Sequence, residues 1–198
     1  MWKSPWLWLF IDILTIAAVT NLGPAEKTLG INIRVVYLHG AWVWTALIFF
    51  LASALVGLAG LIARRQSLNR WSRTLGRTGL GFWITYLPIS LWAMQANWNG
   101  LFLAEPRWRL AAVFSLGGLL LQGGLALVEK PVWASVGNLV YALALFLVLR
   151  STPNVMHPPS PILNSEAWRI QLFFFSLLGL VLFGAWQVSR LWHRLERV

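Results

Sequence analysis

The chain has 198 residues, 58% of them hydrophobic and only 11% charged, with a mean hydropathy of +0.66. Soluble globular domains carry about a quarter charged residues, so this composition excludes an ordinary water-soluble fold and selects lipid as the solvent. A formal charge of +10 would suit nucleic acid, but the basic residues lie between apolar runs rather than on one face, and they read as topology signals and contacts for anionic headgroups.

Six apolar runs follow along the chain: Trp6–Thr20, Val35–Ala63, Gly79–Ala96, Leu110–Val128, Val132–Leu149 and Ile170–Val188. Each approaches the ~20 residues that cross a hydrocarbon layer, so the expected fold is all-α: one integral-membrane domain over 1–198, a bundle of six transmembrane helices. The first run, with Lys3 before it, has the outline of a signal peptide, but Asp12 in its middle and the lack of a clear cleavage site indicate a retained helix. A carboxyl at that depth calls for a hydrogen bond within the bundle or a proton relay.

The second run exceeds the hydrocarbon thickness and predicts a tilted helix from about His39 to Ala63, packed through Ser53 and Gly57. The segment Arg64–Arg77 then reads as a basic loop. Pro88 in the third run reads as a kink and Gly117/Gly118 in the fourth as a close-packing site. Gln95, Gln122, Asn138 and Gln187 are candidates for bonds between helices. After the sixth run the basic tail Ser189–Val198 carries His193, expected to be exposed.

Lys and Arg decide the orientation. With the first helix starting inside, ten of them lie on inner segments and six on outer ones, and the Arg64–Arg77 cluster alone settles the bias. Both termini are then cytoplasmic, in the plasma (inner) membrane or an organelle membrane derived from it. The outer segments Asn21–Arg34, Asn97–Arg109 and Arg150–Arg169 hold most of the Pro and Asn, and function is expected there. Most of the 14 tryptophans fall near helix ends, as in an aromatic belt.

The absence of cysteine excludes a disulfide, a thiolate metal site and covalent c-type haem. No nucleophile–base pair, phosphate loop or helical metal motif appears, so coordination rather than enzymatic turnover is the expected chemistry. His39 at the outer mouth of the second helix and His157 in the last outer loop share a side. Two neutral imidazoles suit an iron porphyrin, which needs two axial ligands, better than zinc. Trp42 lies at i+3 from His39 and shares its face, where an indole flanks a flat macrocycle. Arg34, about a turn and a half earlier, is placed for a propionate. Pro158, Pro159 and Pro161 stiffen the segment after His157.

Arg34-x-x-Tyr37-x-His39-x-x-Trp42 resembles the Arg-x-Met-Tyr-x-His-Val-Pro-x-Ala-Trp segment of the CcmC, CcmF and CcsA haem-handling proteins. His157-Pro-Pro-Ser-Pro-Ile162 is similar to the Leu-His-Gln-Pro-x-Ser segment of the six-helix CcmC branch. The resemblance implies that His39 and His157 are axial ligands of non-covalent haem b on the external face. It further implies that Glu105 and Arg107 stand for the acid and arginine of the family's Trp-Trp-x-Trp-Asp-x-Arg loop. The tryptophans of that loop are replaced here, leaving Phe102 as its aromatic, with Trp98 and Trp108 flanking.

The function implied is haem presentation or transfer in cytochrome c biogenesis. Its partners would be the bilayer, an ABC-type exporter, a haem chaperone and a small membrane subunit, with no nucleic acid. Two alternatives use the same scaffold. One is a haem b electron-transfer subunit, the other a haem-free structural or assembly subunit, of a respiratory or photosynthetic complex.

Overall fold

A computed structural model describes residues 4–153, 162 and 166–195. Six helices follow in order: α1 Pro5–Asn21, α2 Ile33–Ile62, α3 Gln66–Trp98, α4 Pro106–Val128, α5 Pro131–Ser151 and α6 Trp168–Leu195. Among the described residues there is no sheet, only an isolated bridge between Glu26 and Gly30. Four helices, α2, α4, α5 and α6, are long and apolar enough to cross a membrane, and α1 is apolar but shorter.

The centre is an antiparallel hairpin of α2 and α3. α1, α5 and α6 also touch α2; α4, α5 and α6 also touch α3; α4 and α6 do not touch each other. The hairpin turns in three residues. Arg64 takes a left-handed backbone (φ 52°), while the Arg65 N–H donates to Gly60 O at 3.0 Å and the Arg64 N–H to Leu61 O at 3.4 Å. That is the bonding pattern of a helix end usually closed by glycine. The turn from α4 to α5 is as short: Glu129 is left-handed (φ 58°), and Pro131 opens α5 where its missing N–H costs nothing. Both tight turns lie at one end of the bundle. The longer connections lie at the other, where Asn32 Nδ2 donates to Ala96 O across the mouth of the hairpin at 2.8 Å.

Lipid gives apolar helices little reason to associate, so close backbone approach and polar contacts carry the packing. Ser53 and Ser72 exchange bonds between α2 and α3, Ser53 Oγ to Ser72 O at 2.8 Å and Ser72 Oγ to Ser53 O at 2.9 Å. From α5, Asn138 Nδ2 donates to Ser72 O at 2.9 Å while Asn138 Oδ1 accepts Gln122 Nε2 of α4 at 2.8 Å, tying four helices together. One turn away Ser135 Oγ donates to Asn69 Oδ1 at 2.8 Å. Gly57 and Gly76 make this approach possible, since a Cβ at Gly57 would stand 2.7 Å from Ser72 Oγ and one at Gly76 2.6 Å from Asn138 Nδ2. Apolar clusters lie between this polar layer and the end away from the tight turns. Tyr37, Ala41, Phe174 and Val181 join α2 to α6, and Phe50, Trp83, Tyr86, Leu110 and Leu145 join α2 and α3 to α4 and α5.

Three sequence expectations are corrected. The Arg64–Arg77 segment is not a loop: α3 begins at Gln66, so Arg70, Arg73 and Arg77 are helical. Only an apolar run signals a helix facing lipid, whereas this stretch is covered by protein and uses Asn69, Ser72, Thr74, Gly76 and Thr78 as its buried face. α6 runs to Leu195 rather than ending near Val188. His193 is accordingly not exposed. It keeps 6% of its surface and stacks on Trp71 at 4.0 Å between ring centroids, with Trp186 stacked on Trp71 in turn at 5.3 Å.

The polar residues singled out in the sequence divide. Gln122 and Asn138 bond between helices, Gln95 bonds locally to Asn99, and Gln187 has no hydrogen-bond partner among the described residues. Gly118 packs under Leu80 and Tyr141, whereas Gly117 faces open space. Asp12 is buried to 6% exposure with Oδ2 against Gly184, whose missing side chain leaves room for it. That oxygen accepts no hydrogen bond from a described residue.

Candidate functional site

The end of the bundle away from the tight turns gathers the start of α2, the end of α3, the start of α4 and the segment before α6. α2 begins at Ile33 rather than near His39, its first turns buried through Ile33, Val35 and Tyr37, so Arg34, Tyr37, His39 and Trp42 all lie on one helix. Its first turn is anchored to the preceding loop. Arg34 Nε donates to Gly23 O at 3.0 Å and the Tyr37 hydroxyl to Pro24 O at 3.1 Å. Tyr37 is fully buried, with its ring 5.2 Å from that of Phe173. The loop itself is held by the half-buried Glu26, whose carboxylate accepts the Thr28 N–H at 2.8 Å and the Leu29 N–H at 2.9 Å. The bonds to Leu29 and Thr28 hold the Glu26 carboxyl below its ordinary pKa.

His39 is half-buried and turned towards α3, its ring 5.5 Å from that of Tyr86 and tilted by 58°. One turn on, Trp42 Nε1 donates to Thr85 Oγ1 at 2.9 Å, and the indole lies 5.0 Å from the Phe82 ring. Trp42 therefore shares His39's side of the helix, as the i+3 spacing requires, with its N–H engaged by α3. Tyr86 also stands 5.0 Å from Trp83, whose Nε1 donates to Ala111 O of α4 at 3.2 Å. The face of α3 next to His39 is thus the face that receives the first turns of α4.

Arg107 lies three and four residues before Leu110 and Ala111 and shares their face of α4. Its Nε is buried without a hydrogen-bond partner among the described residues, as is Trp108 Nε1. Glu105 is buried at 7% exposure and starts the helix. Its N–H donates to Phe102 O at 3.0 Å, and its carbonyl accepts the Arg109 N–H at 3.0 Å. Phe102 is exposed on the loop.

His157 and the prolines at 158, 159 and 161 lie outside the described residues. Ile162 is described: it is buried in the cluster of Tyr37, Ala41 and Phe174, and its Cδ1 is 3.9 Å from where a Cβ on Gly40 would sit. Ile162, five positions after His157, therefore packs beside Gly40, the residue following His39.

Tyr86 and Thr85 have no local sequence signal, because they meet the His39 helix only across the bundle. The donor set at this end fits an iron porphyrin in part. It supplies a half-buried imidazole beside the Tyr86 ring and an arginine with an unused N–H, while Arg34 Nε and the Tyr37 hydroxyl are engaged by the backbone of the α1–α2 loop. No family model, curated protein or solved structure matches the chain.

Proposed function

We propose that this protein handles haem in cytochrome c biogenesis, binding haem b non-covalently between His39 and His157 and presenting it to a partner. In this reading all six helices span the membrane, both termini are cytoplasmic, and the His39 end faces outward. The observation that carries it is the burial of Ile162 against Gly40 and Tyr37. Ile162 lies five positions after His157, a stretch that reaches at most about 17 Å, which supports a site shared by the two histidines.

His39 and His157 would hold the iron, whose remaining in-plane positions the porphyrin supplies. Trp42 and Tyr86 exclude water from one side of the His39 imidazole, and Arg107 offers its free Nε–H to a carboxylate. The protein's part is coordination and orientation. Proton transfer and turnover are not needed. The partners expected are an exporter of the ABC type, a haem chaperone and a small membrane subunit.

The visible spectrum of the purified protein, as isolated or after addition of haemin, tests this. A low-spin b-type spectrum is expected, changing to high spin or vanishing in His39→Ala and in His157→Ala. It should persist in His193→Phe, at the opposite end. A protein that takes up no haemin, or a spectrum that survives both histidine substitutions, overturns the reading. The engagement of Arg34 and Tyr37 in fixing the α1–α2 loop favours one alternative, a haem-free structural or assembly subunit, and that result would establish it.

A further inference from the structure

α4 and α6 both pack on α3 without touching each other among the described residues. The strip of α3 between them is therefore the floor of a groove open to the lipid. Its residues follow from helical spacing: Arg70, Arg73, Arg77, Gly81, Ile84 and Pro88 succeed one another at intervals of three or four and form one stripe. The walls are fixed. On one side, Thr74 Oγ1 meets His193 Nδ1 at 3.4 Å and Ser189 Oγ donates to Thr78 Oγ1 at 2.8 Å. On the other, Leu80 packs into Gly118 of α4.

The stripe has two chemically distinct halves. At the end near the tight turns, Arg70 Nε and Arg73 Nε and Nη2 are buried from solvent yet have no hydrogen-bond partner among the described residues. A desolvated guanidinium N–H without an acceptor is costly, so these donors call for an anion. Planar N–H forks match phosphate oxygens best. Farther along the stripe the charges stop. Gly81 is exposed and a Cβ there would meet nothing within 4 Å, and Pro88 beyond it is exposed too. An apolar channel the width of a missing side chain thus leads away from the arginines into the lipid-facing part of the bundle.

We propose that this groove binds an anionic phospholipid, its phosphate on Arg70 and Arg73 beside Arg77 and an acyl chain lying over Gly81 towards Pro88. The two halves of the stripe match the two halves of one amphiphile in order and separation. The arginines stand about 8–18 Å along α3 from the turn at Arg65, within reach of a headgroup at that end of the bundle. The arginine half lies at the opposite end of α3 from His39, and the site does not depend on haem.

Native mass spectrometry of the intact protein, released from detergent with phosphatidylglycerol, phosphatidylcholine or inorganic phosphate added, reads it directly. Phosphatidylglycerol is expected to be retained as a one-to-one adduct that phosphatidylcholine does not replace. Arg70→Gln with Arg73→Gln should weaken retention by at least about tenfold, since charge-assisted bonds are lost. Arg190→Gln, an exposed arginine of α6 outside the stripe, should leave it unchanged. Gly81→Leu keeps every charge and fills the channel, so it should also weaken retention; it serves if the double variant fails to fold. Equal retention of the two lipids, or retention undiminished by either Gly81→Leu or the arginine pair, overturns the proposal. Inorganic phosphate competing as well as the lipid would reduce the site to a bare anion contact and overturn it as well.

Discussion

Asn138 is the residue whose removal should most sharply test how this bundle is held. Its amide links α5 to α3 through Ser72 O at 2.9 Å and to α4 through Gln122 Nε2 at 2.8 Å, and it is buried at 4% exposure. Hydrogen bonds between membrane helices are worth about 0.6 kcal/mol each on average and up to about 1.7. Asn138→Ala removes these two and a longer third to Ser72 Oγ at 3.3 Å, leaves the Gln122 amide without its acceptor, and opens a void beside Gly76. The sum is a loss of about 2–4 kcal/mol. Gln122→Ala breaks only one of these bonds and should cost about 1 kcal/mol or less. Reversible unfolding in mixed micelles with increasing SDS, followed by tryptophan fluorescence, measures both. The double variant should show a coupling of roughly 0.5–1.5 kcal/mol, the bond counted twice in the single variants. A cost for Asn138→Ala below about 0.5 kcal/mol, or strict additivity, would show that the polar layer is incidental and that shape alone positions α5.

Other outcomes follow from the same geometry. Gly184→Val should displace α1 by driving a side chain into Asp12, at a cost of about 1–3 kcal/mol; Asp12→Ala should recover part of that loss, and failure to do so in the same SDS titration would contradict the contact. Arg64→Gly should stabilise by up to about 1 kcal/mol, because a left-handed residue with a Cβ is strained there; an unchanged midpoint would refute the strain. The lowered Glu26 pKa means that its stabilisation of the α1–α2 loop is fully present above the ordinary carboxylate value and is lost as pH falls through the lowered folded value. Hydrogen exchange of residues 22–32 should accelerate across that acidic window, after correction for intrinsic rates, in the wild type and not in Glu26→Gln. Identical profiles would dismiss the mechanism.

Membrane class and the positions of α1, α2, α4 and α5 were legible in the sequence because lipid imposes a long apolar run on any helix it touches. The same rule explains the failures. Gln66–Thr78 carries three arginines and few apolar residues, so nothing marked it as helix. Only the tertiary structure supplies α2, α5 and α6 as its solvent, with Ser53, Ser135 and Ser189 as partners. His193 looked like part of a solvated tail because its neighbours are basic, yet the stack with Trp71 depends on a residue more than a hundred positions away.

At the site, the sequence by itself determined that His39 and Trp42 share one helix face, since 3.6 residues per turn requires it; that Arg34 and Tyr37 belong to the same helix came with the structure. The sequence could not determine what each group faces. Arg34 Nε and the Tyr37 hydroxyl turn back to Gly23 and Pro24, Trp42 turns to Thr85, and His39 meets Tyr86. The tertiary structure decided these pairings, because partners on other helices are chosen by packing across the bundle and leave no period in the chain.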